Sequence, residues 1–263
     1  MKICCLVKEV PDAAVQKRID ENTKRLDRSG EKNLNPFDTH GIEAAMQIRE
    51  GGVADVDEIV AVTMGPDSAV RALHKAVALG ADRSLHLSDT ALEGSDVNAT
   101  GYALAKLLSS EQPDLVLLGQ QSDDGECYTI GAVVADHLKM PSLTQVIKID
   151  VADGKLTCER QAEYGYDTVE VDLPAVISVG DAINEPRYPS LKAIMGAKKK
   201  PLEAKATGDV GIDAGEVGEG GSKTQVLAIN PPPEKQAGEI IEDEDTNETV
   251  EKIVAWLDER KLI

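Results

Sequence analysis

Three short runs in the first half of the chain are apolar at nearly every position: Ile3 to Val7 (ICCLV), residues 58–64 (EIVAVTM) and residues 114–118 (DLVLL). A strand with one wet face alternates polar and apolar residues, so runs like these describe strands buried on both faces. Residues 83–87 (RSLHL) read as a shorter relative. Helix-periodic segments lie between them, at about 38–50, 67–80, 97–110 and 126–138. In the second, Val70, Leu73, Val77 and Leu79 fall near helical spacing, and Gly80 supplies a helix stop. Strand and helix in repeated alternation call for a mostly parallel sheet with right-handed crossovers. The expected class is α/β. Ligands of such sheets bind beyond the carboxyl ends of the strands, which here run into Lys8-Glu9-Val10-Pro11, Gly65-Pro66 and Gly119-Gln120.

A chain of 263 residues can make one large α/β domain with a tail, and 41% hydrophobic residues are enough for a real core. Its 47 acidic and 28 basic side chains leave a formal charge of −19, a field that repels phosphate backbones and anionic membranes. One Phe, one Trp and five Tyr give little surface for stacking bases. No apolar run reaches the roughly 18 to 20 residues of a membrane span. Residues 1–10 carry no basic region leading to a cleavage site. The cysteines Cys4, Cys5, Cys127 and Cys158 form neither a CxxC pair nor a metal-ligand spacing. Adjacent on one strand, Cys4 and Cys5 would face opposite sides as small buried hydrophobes. The expectation is a reduced, cytoplasmic protein that binds no nucleic acid and does not insert into a membrane.

Three regions depart from the alternation. Residues 12–34 are crowded with charges and read as a solvated excursion holding a short hairpin. From 142 to 180 the period shifts to strands, with Asp153-Gly154 as the turn of a hairpin over 145–161, then 168–172 and 174–179. After 200 the chain loosens through six glycines and Pro231-Pro232-Pro233, which reads as an extended arm over 201–263. The arm closes on a helix at about 246–260 with a stripe of Val250, Ile253, Val254 and Leu257, suited to a partner or to docking on the chain itself.

No Walker A loop, GxGxxG, nucleophile elbow or HExxH is present, and the four histidines are scattered. No catalytic residue is assigned. Asp123, Asp124 and Glu126 could ligate a metal, but acidic loop residues are more often simply solvated, and no metal site is assigned. Their loop, residues 119–131 (GQQSDDGECYTIG), joins a parallel strand to a helix, where free backbone N–H groups suit a phosphate. Asn35-Pro36-Phe37-Asp38 opens a helix, with Pro36 in the first turn and Asp38 as a candidate cap. Residues 184–200 (NEPRYPSLKAIMGAKKK) mix exposed-type apolar residues with a basic cluster, which reads either as solvated surface or as a docking element.

Val7-Lys8-Glu9-Val10-Pro11-Asp12, Asn35-Pro36-Phe37-Asp38, Met64-Gly65-Pro66, Leu79-Gly80-Ala81-Asp82-Arg83 and Leu115 to Gly119 occur in order. They are followed by Asn184-Glu185-Pro186-Arg187-Tyr188-Pro189-Ser190-Leu191-Lys192, Ile194-Met195 and Lys198-Lys199-Lys200. In these stretches the chain resembles the β subunits of electron-transfer flavoproteins over nearly its whole length. The resemblance implies a doubly wound domain over 1–200, of the adenine-nucleotide α-hydrolase type, and an arm over 201–263 that wraps an α subunit carrying FAD. It implies a structural AMP held by Leu6, Asn35, Pro36, Phe37, Asp38, Met64, Gly119, Gln121, Ser122, Asp123, Gly125, Cys127, Tyr128, Thr129 and Ile130. Tyr128, Thr129 and Ile130 stand where Asn-Gln-Thr is often seen, which preserves backbone contacts to phosphate and changes those of side chains.

The resemblance also implies a recognition loop over 179–201 that docks acyl-CoA dehydrogenases, with Glu185, Arg187, Tyr188, Leu191, Ile194, Met195 and Lys198 as partner residues and Leu191 as anchor. Electrons would pass onward to a membrane quinone oxidoreductase, the chain being a carrier subunit in fatty-acid oxidation rather than an enzyme. One alternative is an electron-bifurcating member with a second FAD in place of AMP, although such relatives tend to replace the lysine-rich stretch kept here. Another is an adenine-nucleotide-using enzyme of the same fold, which would want glycines and hydroxyls where Lys8-Glu9-Val10-Pro11 stands.

Overall fold

The computed structural model describes all residues except 53, 231–232, 234–237, 239 and 241–244. Five strands precede the first crossover helix: β1 (Lys2–Leu6), β2 (Glu9–Pro11), β3 (Ile19–Asp20), β4 (Arg25–Leu26) and β5 (Lys32–Leu34), followed by α1 (Pro36–Gly51). Then come β6 (Glu58–Met64), α2 (Val70–Leu79), β7 (Arg83–Leu87), α3 (Val97–Glu111), β8 (Leu115–Gly119) and α4 (Ile130–Leu138). A strand-rich stretch follows, with β9 (Ser142–Ala152), β10 (Lys155–Ala162), β11 (Gly165–Asp172) and β12 (Ala175–Val179). The chain continues through α5 (Leu191–Ala197), β13 (Leu202–Lys205), α6 (Gly218–Gly221) and α7 (Thr246–Glu259).

Nine of the strands form one sheet in the order β11-β10-β9-β12-β8-β1-β6-β7-β13. From β9 to β13 every neighbouring pair is parallel, and β9, β10 and β11 are antiparallel. The chain winds from β1 outward to β6 and β7, then returns to the other side of β1 with β8. That reversal puts a switch point between β1 and β8, where open sheets leave a crevice.

The double-sided burial read from the apolar runs is what the sheet shows. Ile3 and Cys5 join one core with Ile42 and Ala45 of α1 and Leu73 and Ala76 of α2. Cys4 and Leu6 join the other, with Leu104, Leu107 and Leu108 of α3 and Val134 of α4. Gly80 ends α2 at φ +144, a conformation side-chain-bearing residues rarely adopt. The hairpin turns at Asp153-Gly154, residues 12–34 hold the β3–β4 hairpin, and β5 at their end pairs with β2 just before them.

Two expectations need correction. Asp38 does not cap α1; Asn35 precedes the helix, Pro36 opens it, and Asp38 is buried inside the first turn. The looseness expected from residue 201 begins later. Residues 202–205 add a parallel edge strand to β7, and Ile212 and Val217 enter the second core. Glycines and charges at a sheet edge mimic a linker in sequence.

The chain divides into two units, Met1–Leu227 and Ala228–Ile263. In the second, α7 is capped by Asp245, which accepts the N–H of Asn247 at 2.8 Å. Val250, Ile253, Val254 and Trp256 on this helix are exposed, and Leu257 is half-buried. Of the proline run at 231–233, the first two residues lie outside the described residues.

Candidate functional site

Beyond the carboxyl ends of β1, β6 and β8 lies a cavity of about 380 Å³. One wall is apolar, made by Leu6, Val62, Met64, Leu104 and Leu118. The lining from the loop that forms the rim is mostly polar, with Gly119, Gln120, Gln121, Ser122, Gly125, Cys127 and Tyr128. The switch point of the sheet and the cavity coincide.

The rim is shaped by its backbone. Glu126 and Tyr128 both take left-handed conformations, at φ 45 and φ 56, which is uncommon for non-glycine residues and gathers in functional loops. The N–H groups of Gly125 and Glu126 turn back to the carbonyl of Ser122. Among the described residues, those of 127–132 have no hydrogen-bond acceptor, because they lie in the irregular turn and the first turn of α4. Successive N–H groups at alternating backbone hands form a concavity that suits an anion, and the helix N-terminus adds to it.

Three side chains fix this rim to the rest of the fold. Asn35 donates from Nδ2 to the carbonyl of Gln121 at 2.8 Å, and its Oδ1 accepts the N–H of Asp123 at 3.1 Å. Asp38 accepts from the N–H of Lys8 at 2.8 Å and of Gly119 at 3.3 Å. Burial pushes the Asp38 carboxyl up to about 7, against the pull of Asn35 and those two N–H groups. Asp124 is the reverse case: burial opposes its charge, but Lys8 and Arg28 hold it down at about 2.

Close approach explains Gly119. A Cβ there would lie 2.5 Å from the carbonyl carbon of Phe37 and 2.7 Å from its Cβ. Phe37 thus acts on the site by packing against the strand end, and neither Phe37 nor Pro36, Asp123 or Thr129 lines the cavity. Leu6, Asn35, Asp38, Met64, Gly119, Gln121, Ser122, Gly125, Cys127, Tyr128 and Ile130 all do. Gln121 Oε1 is buried and has no hydrogen-bond partner among the described residues.

Reading the sequence alone missed Lys8, Arg28 and residues 95–97 as lining residues. Lys8 could have been found from its place at the end of the first strand. Arg28 could not, since nothing in a charged excursion marks which residue reaches the cleft.

The second group of residues forms a separate surface. Tyr188 and Leu191 are 94% and 74% exposed, Met195 and Ile194 are also exposed, and so are Glu185 and Lys198. Ser190 caps α5 by accepting the N–H of Ala193 at 3.1 Å, and α5 packs on α2. Arg187 is turned inward: its guanidinium donates to Glu43 at 2.7 and 3.0 Å and to Glu50 at 2.6 and 2.9 Å. It clamps the segment to α1, and Asn184 adds hydrogen bonds to His40.

No helix among the described residues is long and apolar enough to cross a membrane. A family model described as the electron transfer flavoprotein domain matches residues 23–209. A Mycobacterium tuberculosis protein named electron transfer flavoprotein subunit beta is 40% identical over 265 residues, which cover 99% of each chain. A protein of the same name from Thermoanaerobacterium thermosaccharolyticum is 38% identical over 267 residues, 100% of each chain. The caffeyl-CoA reductase-Etf complex subunit CarD of Acetobacterium woodii is 36% identical over 265 residues, also 100% of each. With its doubly wound sheet and switch-point cleft, the chain belongs to the electron transfer flavoprotein family and is of the β-subunit type.

Proposed function

We propose that this chain is the nucleotide-holding subunit of a heterodimeric electron carrier, with AMP in the switch-point cleft and the redox-active FAD mainly in an α subunit. One observation carries the reading. The cleft joins an apolar wall of Leu6, Val62, Met64 and Leu118 to a rim where Cys127, Tyr128 and Ile130 carry N–H groups without an acceptor among the described residues. An adenine suits the first and a phosphate the second.

Phosphate contacts then come from backbone, so Tyr128, Thr129 and Ile130 are compatible with the site whatever their side chains. AMP holds the rim to the strand ends, and binding to the folded state alone stabilises it. The exposed face around Leu191 docks acyl-CoA or related dehydrogenases, the quinone oxidoreductase takes the electrons, and the apolar stripe of α7 belongs against the α subunit. The chain works in the cytoplasm and carries electrons without catalytic residues of its own.

A second reading has one observation behind it: a relative named as a subunit of a caffeyl-CoA reductase complex matches over its full length. In that reading a second FAD replaces AMP. Chromatography of the nucleotides that acid releases from the purified heterodimer separates the two, AMP supporting the first and FAD alone the second.

A further inference from the structure

The Asp124 side chain has no solvent exposure, yet its carboxylate is charged and gripped by two cations from distant parts of the chain. Lys8 Nζ, from the end of β1, reaches Oδ1 at 2.7 Å and also donates to Ser122 Oγ at 3.1 Å. Arg28, from the excursion, reaches Oδ2 through Nη2 at 2.6 Å and Nε at 3.2 Å. One carboxylate against two cations leaves a net positive charge on the cluster.

Both cations line the cleft. Lys8 Nζ lies beside the anion rim, 3.8 Å from where a Cβ on Gly125 would be. Arg28 has five N–H donors; Nε and one on Nη2 go to Asp124, and one on Nη1 to the carbonyl of Leu26 at 3.4 Å. The remaining two have no acceptor among the described residues and can meet a ligand oxygen. In a chain of formal charge −19 the mean field opposes an anion, so affinity for a phosphate needs a local reversal of sign. The other acids lining the cleft, Asp38 and Asp96, keep their oxygens on backbone N–H groups, those of Lys8 and Gly119 and those of Ala99, Lys223 and Thr224, so neither pairs with a cation of the cluster, and the positive charge is local to Lys8, Arg28 and Asp124. Lys17, also in the excursion, pairs with Asp123 at 2.9 Å but does not line the cleft.

We propose that Arg28 is a specificity-determining residue of the cleft, which with Lys8 makes the site prefer a phosphate-bearing nucleotide to its nucleoside, Asp124 positioning both cations. This rests on the nucleotide reading above and extends it: the excursion over residues 12–34 is part of the binding site. The probe pair is AMP and adenosine, which differ only in the phosphate. The wild-type heterodimer, stripped of nucleotide with charcoal and titrated calorimetrically, binds AMP far more tightly than adenosine.

In Arg28→Gln that preference falls about tenfold or more while adenosine affinity stays within about twofold, as expected when a charge-assisted contact to phosphate is lost. Lys17→Gln keeps the wild-type preference. An equal loss of AMP and adenosine in Arg28→Gln would make Arg28 a residue of the fold only and overturn the proposal, as would unchanged AMP binding. If Arg28→Gln does not assemble, Arg28→Lys carries the test, since a lysine keeps the charge but not the fork: AMP must weaken severalfold and adenosine not at all. Wild-type heterodimer that binds neither probe would remove the nucleotide reading itself. AMP bound tightly by wild type and variant alike would leave that reading standing and remove only Arg28.

Discussion

The carboxylate of Asp38 accepts the backbone N–H of Lys8 at 2.8 Å, so the first turn of α1 holds the point where β1 runs out. Its other oxygen accepts the N–H of Gly119 at the end of β8, 3.3 Å away. β1 and β8 are neighbours across the switch point, and one side chain thereby fastens both strand ends beneath the cleft.

That arrangement makes stability depend on pH in a definite direction. Burial raises the Asp38 carboxyl from 3.8 to about 7 in the folded state. The folded chain keeps a proton that the unfolded chain has released, so Asp38's contribution is fully present below pH 3.8 and lost as pH rises through 7. In urea unfolding of the heterodimer, wild type should lose ground to Asp38→Asn across this window, by on the order of 4 kcal/mol. A stability difference between the two that does not change with pH would show that the carboxyl titrates normally.

Gly119→Ala places a methyl against the backbone of Phe37, with no flexible side chain able to yield. Overpacking of this kind costs about 1 to 3 kcal/mol, and here it also displaces the strand end that carries the rim. Thermal denaturation should show the loss, together with reduced AMP content. Gly196→Ala, with open space around its Cβ position, is the control and should match the wild type in both.

Arg187 and Leu191 separate fold from docking within one segment. Arg187→Ala leaves the buried Glu43 carboxylate without its guanidinium, a loss of roughly 1 to 3 kcal/mol, and it should expose the Lys192 and Lys198 peptide bonds to trypsin. Leu191→Ala touches an exposed side chain and should leave the digest unchanged. It should instead slow flavin reduction by a cognate dehydrogenase severalfold, because interface energy gathers in a few anchors, with no effect on reduction by a small artificial donor. Equal slowing with both donors would place Leu191 in the fold.

What the sequence made legible follows from the range of each interaction. Ile3 to Val7, 58–64 and 114–118 declare buried parallel strands because double-sided burial writes itself as an unbroken apolar run. Asp153-Gly154 declares its hairpin because a turn is set by adjacent residues. β13 stayed hidden because an edge strand with a Leu-Glu-Ala-Lys sequence carries no periodic signal and is held by pairing with β7, over a hundred residues earlier. Asp38 looked like a cap because its position in the helix is local, whereas its two N–H partners are 30 and 81 residues away. Arg187 and Arg28 are of the same kind: their carboxylates lie 144 and 96 residues off in sequence, and nothing nearby distinguishes a paired arginine from a solvated one.

Native mass spectrometry of the intact heterodimer tests the central claim most directly, because it weighs the bound nucleotides without releasing them. The cleft described here calls for a mass equal to the two chains plus one FAD and one AMP. A mass of two chains plus two FAD, or plus one FAD alone, would contradict it.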